Sequence, residues 1–253
     1  MIHETPPSGE EQQRQVVRVQ MPDRKPVVTI ILVAITVGVF ILQHLLLMAT
    51  GIDFIGLFGK KVNEAIMQGQ VWRLLTPALL HGGILHLVMN MYALFIIGSR
   101  LERFYGPKRF LLLYVLSAFA GNVFSFVFTP APSLGASTAI FGIFAAEGIL
   151  IYQNRRLFGQ MRTRQAITNL ALILTMNLAF GFIASVMIDN MGHIGGLLGG
   201  IFFAWKAGPI LKLVGAPPYF SVADSRERKD VLAASLVVFI GFIIIALIPF
   251  LKT

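Results

Sequence analysis

The chain has no cysteine, which excludes disulfides and any thiolate nucleophile or metal ligand. Charge is scarce as well, at 13% of residues against 56% hydrophobic. The apolar residues gather in runs too long for an ordinary soluble core, so the composition predicts a polytopic membrane protein. A net charge of +9 first suggests nucleic acid. The basic residues, however, sit in short links between apolar runs, which is the positive-inside pattern. The charge therefore reports orientation, and no nucleic-acid partner is expected.

Residues 1–25 carry mixed charge, paired prolines and few large apolar side chains. They read as a flexible cytoplasmic tail without the pattern of a cleavable signal peptide. A membrane domain is expected over 26–251, beginning with an apolar run from Pro26 to Thr50 whose Gln43 and His44 fall near the far end, within reach of the interface. Residues 51–80 are too polar to span and too apolar for a free loop; they read as an interfacial segment anchored by Trp72 and Arg73. Further runs follow at 82–104, 110–128, 135–153, 166–188, 192–211 and 231–251. The expected fold class is an all-α membrane bundle of seven transmembrane helices, 231–251 being the last.

Arg100, Arg103, Lys108 and Arg109 fall in one link, Arg155, Arg156, Arg162 and Arg164 in another, and Lys206, Lys212, Arg226, Arg228 and Lys229 around a third. With Arg14, Arg18, Arg24 and Lys25 of the tail, these belong to the cytoplasmic side. The links 129–134 and 189–191 carry no Lys or Arg. This predicts a cytoplasmic amino terminus and an external carboxyl terminus. It also places His86 and Asn90 in the first turns of the second span, Ser137 in the first turn of the fourth and His193 in that of the sixth. All four then lie within about 15 Å of the outer helix ends.

A serine hydroxyl is a poor nucleophile until a base takes its proton, and imidazole, with an ordinary pKa of about 6.5, suits that role. His193 is the better base candidate, because Gly192, Gly195, Gly196, Gly199 and Gly200 let its helix approach a neighbour closely. Gly135 and Ala136 beside Ser137 offer the matching small surface. Phe141, at i+4 from Ser137, shares its face and is placed to pack on the imidazole. His86 and Asn90, also i and i+4, present an imidazole and a carboxamide on one face. With the Ser137 amide they would supply three donors to an oxyanion. His81 and His86 also admit a reading as metal ligands, but their spacing of five does not share a helical face. No metal or cofactor is called for. Glu147 lies about 15 Å along its helix from Ser137 and reads as a structural group or one reaching toward Arg155 or Arg156. Asp189 reads as a cap on the sixth helix.

Taken together, Trp72-Arg73, the stretch from His81 through His86 to Asn90, Gly98 to Gly106, Gly135-Ala136-Ser137 and Gly192 to Gly196 resemble the rhomboid intramembrane serine proteases over about Gln68 to Trp205. The resemblance implies a six-helix core with 231–251 as an extra carboxyl-terminal span, Ser137 as nucleophile, His193 as general base, and His86, Asn90 and the Ser137 amide at the oxyanion. It further implies transmembrane protein substrates in the lipid bilayer of a cell membrane, bacterial in type, cut near the outer face. Oligomeric state is not readable. Two positions depart from the family: Thr138 stands where glycine is usual and would narrow the mouth of the site, and Phe141 stands where tyrosine is frequent. The runner-up function is an inactive rhomboid-like protein that binds membrane clients. A small transporter using Glu147 and Asn177 is a third.

Overall fold

The computed structural model describes residues 18–183 and 188–251. Its helices are α1 (Val27–Thr50), α2 (Phe54–Gly59), α3 (Asn63–Met67), α4 (Ile84–Ala93), α5 (Ser99–Tyr105), α6 (Pro107–Phe128), α7 (Ser137–Gln153), α8 (Arg155–Phe158), α9 (Gln160–Ile183), α10 (Asn190–Ala207) and α11 (Arg228–Ala246). A wide turn at Leu94–Gly98 joins α4 to α5 without a break in direction. Five stretches among the described residues are long and apolar enough to cross a membrane: α1, α4 with α5, α6, α9, and α11 with its closing turn to Leu251. This is a multi-pass membrane protein. α9, which corresponds to the fifth expected span (166–188), starts earlier than its apolar run suggests, because Arg162 and Arg164 are already helical; residues 184–187 of that expected span lie outside the described residues.

The two expected spans that do not reach that length and hydropathy are those carrying Ser137 and His193. α7 has 17 residues, and α10 is rich in glycine and carries Asn190, His193 and Lys206. Both sit innermost, packed on each other and on α6, so neighbouring helices rather than length shield them. The packing is written in the spacing of the glycines. A Cβ on Gly196 would strike the Thr138 carbonyl oxygen and one on Gly200 the Gly142 backbone, whereas a Cβ on Gly195 would strike Phe124 and one on Gly199 would lie 2.5 Å from the Ala120 methyl. One glycine row of α10 therefore seats α7 and the other seats α6, at near-backbone contact.

Several expectations are corrected. The fold is not purely helical: β2 (Leu211–Ala216) and β3 (Tyr219–Asp224) form an antiparallel hairpin, and β1 (Arg18–Gln20) joins β3 in parallel, giving the order β1-β3-β2. Arg18–Gln20, expected in a flexible tail, is thus a strand; residues 1–17 of that tail lie outside the described residues. Arg73, expected to anchor the 51–80 segment at the interface, is turned into that segment. It is buried, and its guanidinium donates to the carbonyls of Leu57 and Lys60 at 2.7 Å each, closing the 51–80 segment on itself, while Trp72 stacks on Phe58 at 5.0 Å. Gln43 is buried too and donates to Asp53 at 3.1 Å rather than reaching an interface. Glu147 pairs with Arg100, not with Arg155 or Arg156. Glu102, fully buried, accepts from the Val28 and Thr29 amides and the Thr29 hydroxyl, capping the free first turn of α1 from another helix.

Candidate active site

Ser137 is the first residue of α7, and Gly135 two residues earlier makes the approach. Gly135 has φ +134°, a conformation that L side chains rarely adopt. A Cβ there would lie 2.9 Å from the His86 Nε2 and 3.6 Å from the Ser137 Oγ. The missing side chain is what lets an imidazole from α4 stand beside the serine. The Gly135 amide donates to the Pro77 carbonyl at 2.9 Å, tying this approach to the turn Thr76–Leu79.

From α10, the His193 Nε2 lies 2.9 Å from the Ser137 Oγ. The His193 ring is stacked on Phe141, with centroids 4.2 Å apart and planes 9° from parallel. Its Nδ1 is buried without a hydrogen-bond partner. In many serine hydrolases a carboxylate on that nitrogen orients the ring; here the group packed on the imidazole face is the Phe141 ring. Asp189 is committed elsewhere. Its carboxylate accepts from the Gly192 amide at 2.9 Å, from the Thr129 hydroxyl at 3.2 Å, and from the Ser125 hydroxyl. The sequence reading of Asp189 as a cap therefore matches its place, with two further partners that the sequence does not reveal.

Asn90, one turn beyond His86, is buried and donates to the His86 carbonyl at 2.8 Å. A carboxamide has a second N–H to offer. His81 lies under His86, with ring centroids 4.9 Å apart and planes edge-on. Its Nε2 receives a long contact of 3.5 Å from the Ala136 amide. Burial, with a smaller contribution from His86, pushes the His81 imidazole pKa down to about 3. Among the described residues, no group of three or more His, Cys, Asp or Glu side chains is placed to hold a metal ion.

Thr138 does not narrow the mouth of the site. It is buried in the seam between α6, α7 and α10, where a Cβ on Gly121 would lie 2.5 Å from its Cβ and one on Gly192 would lie 3.1 Å from its methyl. The extra bulk of a β-branched residue is absorbed by two glycines on facing helices. The hydrogen bonds of the Trp72 indole and the Arg73 guanidinium run to the carbonyls of Phe58, Leu57 and Lys60, so the two residues organise the 51–80 segment.

The Rhomboid domain family matches residues 68–210, more than half of the chain. The chain belongs to the rhomboid family. Rhomboid protease GluP of Bacillus subtilis (strain 168) is 43% identical to this rhomboid over 199 residues, covering 79% of this chain and 38% of that protein. Rhomboid-like protease 3 of Toxoplasma gondii is 39% identical over 150 residues, 57% of this chain and 55% of that protein. RHOMBOID-like protein 5 of Arabidopsis thaliana is 35% identical over 163 residues, 63% and 52% of the two chains. This rhomboid chain thus spans less than two thirds of the length of each of these relatives. The matched region holds His81, His86, Asn90, Ser137, Phe141 and His193, and ends before the hairpin and α11.

Proposed function

We propose that this rhomboid is an intramembrane serine endopeptidase of a bacterial plasma membrane that cuts membrane-spanning substrates near the outer face. The observation that carries the reading is the 2.9 Å contact between the Ser137 Oγ and the His193 Nε2 under the Phe141 stack. His193, protonated on Nδ1, accepts the Ser137 proton on Nε2 as the oxygen attacks the scissile carbonyl carbon. The carbonyl electron pair moves onto its oxygen. Ser137 opens α7, so its N–H has no partner within the helix and points, with the helix dipole, toward that charge. His86 and Asn90 supply the further donors. As the C–N bond breaks, the leaving amine takes the proton from His193; water, activated in the same way, then releases the acyl group from Ser137.

Seven crossings, with the amino terminus in the cytoplasm and the carboxyl terminus outside, agree with the distribution of Lys and Arg among the links. α7 and α10 serve as the fourth and sixth crossings despite their shortness, since protein surrounds them. Substrate segments that unwind readily are favoured, because a helix hides its carbonyls in internal hydrogen bonds.

The test is cleavage of a reconstituted transmembrane substrate, with a fluorophosphonate probe that labels an activated serine. Ser137→Ala and His193→Ala should each lose at least about 10³-fold in rate, and Ser137→Ala should lose labelling. Either variant cutting at the parental rate overturns the dyad.

A further inference from the structure

The mechanism above makes no use of Lys61, a fully buried cation. Lys61 and Lys60 are adjacent in sequence, yet Lys60 is partly exposed and pairs with Asp53 at 3.1 Å, whereas Lys61 has 0% relative exposure. The Lys61 Nζ donates to the carbonyls of Thr129 and Ala131 at 2.7 Å each and to the Asn63 Oδ1 at 3.1 Å. Its backbone forms a two-bond bridge with Ser133, at 2.9 and 3.1 Å. A fully buried ammonium is costly unless its donors are satisfied and an opposite charge is close.

The opposite charge is Asp189. Thr129 joins the two, its carbonyl receiving Lys61 and its hydroxyl donating to Asp189 at 3.2 Å. A second path runs from Lys61 through the bridge to Ser133, whose hydroxyl meets that of Ser125 at 3.2 Å, and Ser125 donates to Asp189. The paths close a ring through the 51–80 segment, the α6–α7 connection and the cap of α10. Burial pushes the Lys61 pKa down to about 8, against an upward pull from Asp189 and Glu64. One end of the ring caps the helix that carries His193, one turn away; the other runs into the connection that delivers Gly135 and Ser137.

We propose that Lys61 and Asp189, joined through Thr129 and through Ser133–Ser125, form a positioning pair that locks the α6–α7 connection to the first turn of α10 and so sets the distance between Ser137 and His193. This rests on the dyad reading above. Neither residue touches substrate. Lys61 lies outside the 68–210 family match, so the pair ties the segment preceding the matched domain to its reacting groups.

The variants are Lys61→Met, which removes the charge but keeps much of the stem; Asp189→Asn, which retains an acceptor for the Gly192 amide; the double variant; and Thr129→Val, which deletes only the hydroxyl link. Each is measured as full-length protein in lipid nanodiscs by cleavage kinetics, by thermal midpoint, and by amide hydrogen exchange of the segments around 126–135 and 189–195. Each charge variant should lose about 10-fold in kcat with KM little changed, since a 1 Å misplacement costs as much or more. The double variant should lose less than the product of the singles, because no lone buried charge remains. Lys61→Met and Thr129→Val should speed exchange at 189–195 at temperatures where the rest of α10 stays protected. Singles that multiply in the double variant, or exchange at 189–195 that Lys61→Met leaves unchanged, overturn the proposal. If the singles do not fold, Thr129→Val alone decides by the same exchange measurement. Parallel Ser137→Ala and His193→Ala samples separate the two readings: if these cut at the parental rate the dyad fails, whereas an inert dyad variant with unaltered exchange in Lys61→Met sinks only the coupling.

Discussion

Gly135 shows how much of the site hangs on one absent side chain. Its φ of +134° and the 2.9 Å separation between a would-be Cβ and the His86 Nε2 put two penalties on any substitution, backbone strain and a collision with an imidazole. Gly135→Ala should lower the cleavage rate about 100-fold or more while the helices remain, which circular dichroism beside the kinetic assay checks. His81 belongs to the same scale through a different property. Its folded pKa of about 3 lies below the ordinary 6.5, so between those values the unfolded chain binds more protons. Stability is then complete above about pH 6.5 and is lost as pH falls toward 3. At about 1.4 kcal/mol for each tenfold change in proton affinity, the loss amounts to a few kcal/mol. The thermal midpoint of the parent should fall more steeply over this range than that of His81→Gln. The meeting of Ser137, His193 and Phe141 was legible in the sequence, because the glycines of the His193 helix invite a close neighbour and Phe141 shares a helical face with Ser137. Lys61 was not: next to Lys60, nothing in the chain distinguishes a lysine destined for solvent from one destined for three carbonyl-type acceptors.

Among the elements, α10 governs the packing, and its glycines divide the work by face. A methyl on Gly196 lands on the Thr138 carbonyl oxygen, backbone against side chain with no rotamer to escape into, while a methyl on Gly241 of α11 meets nothing within 4 Å. Gly196→Ala should therefore cost about 1–3 kcal/mol or more from overpacking and part the helices that carry the dyad; Gly241→Ala should leave melting and cleavage as they are. Thermal unfolding in nanodiscs alongside substrate cutting distinguishes them. The helix boundaries were readable to within a few residues wherever an apolar run began or ended on charge. The fifth span is the exception, because arginines extend its helix ahead of the apolar stretch. The inward turn of Thr138 was hidden as well: the residue that makes room for it, Gly121, is far away in sequence and on another helix. The partner of Glu147 is hidden for the same reason, since Arg100 is far away in sequence, whereas Arg155 and Arg156 follow within a few turns.

Over the whole molecule, topology remains the property with the plainest test. A reporter active only in the cytoplasm should work when fused at the amino end, and one active only outside should work at the carboxyl end; the reverse pattern would reject the seven-crossing arrangement. The three-stranded sheet adds a constraint of time. β1 begins at Arg18 and its register partner is Tyr219, so during synthesis the strand emerges early and waits for a mate about two hundred residues downstream, a closure that long-range pairing makes slow. By then six of the seven proposed crossings have been made. Both halves of the sheet must have stayed on one side of the bilayer throughout, and a single crossing inserted the wrong way round would leave the early strand stranded across the membrane from its mate.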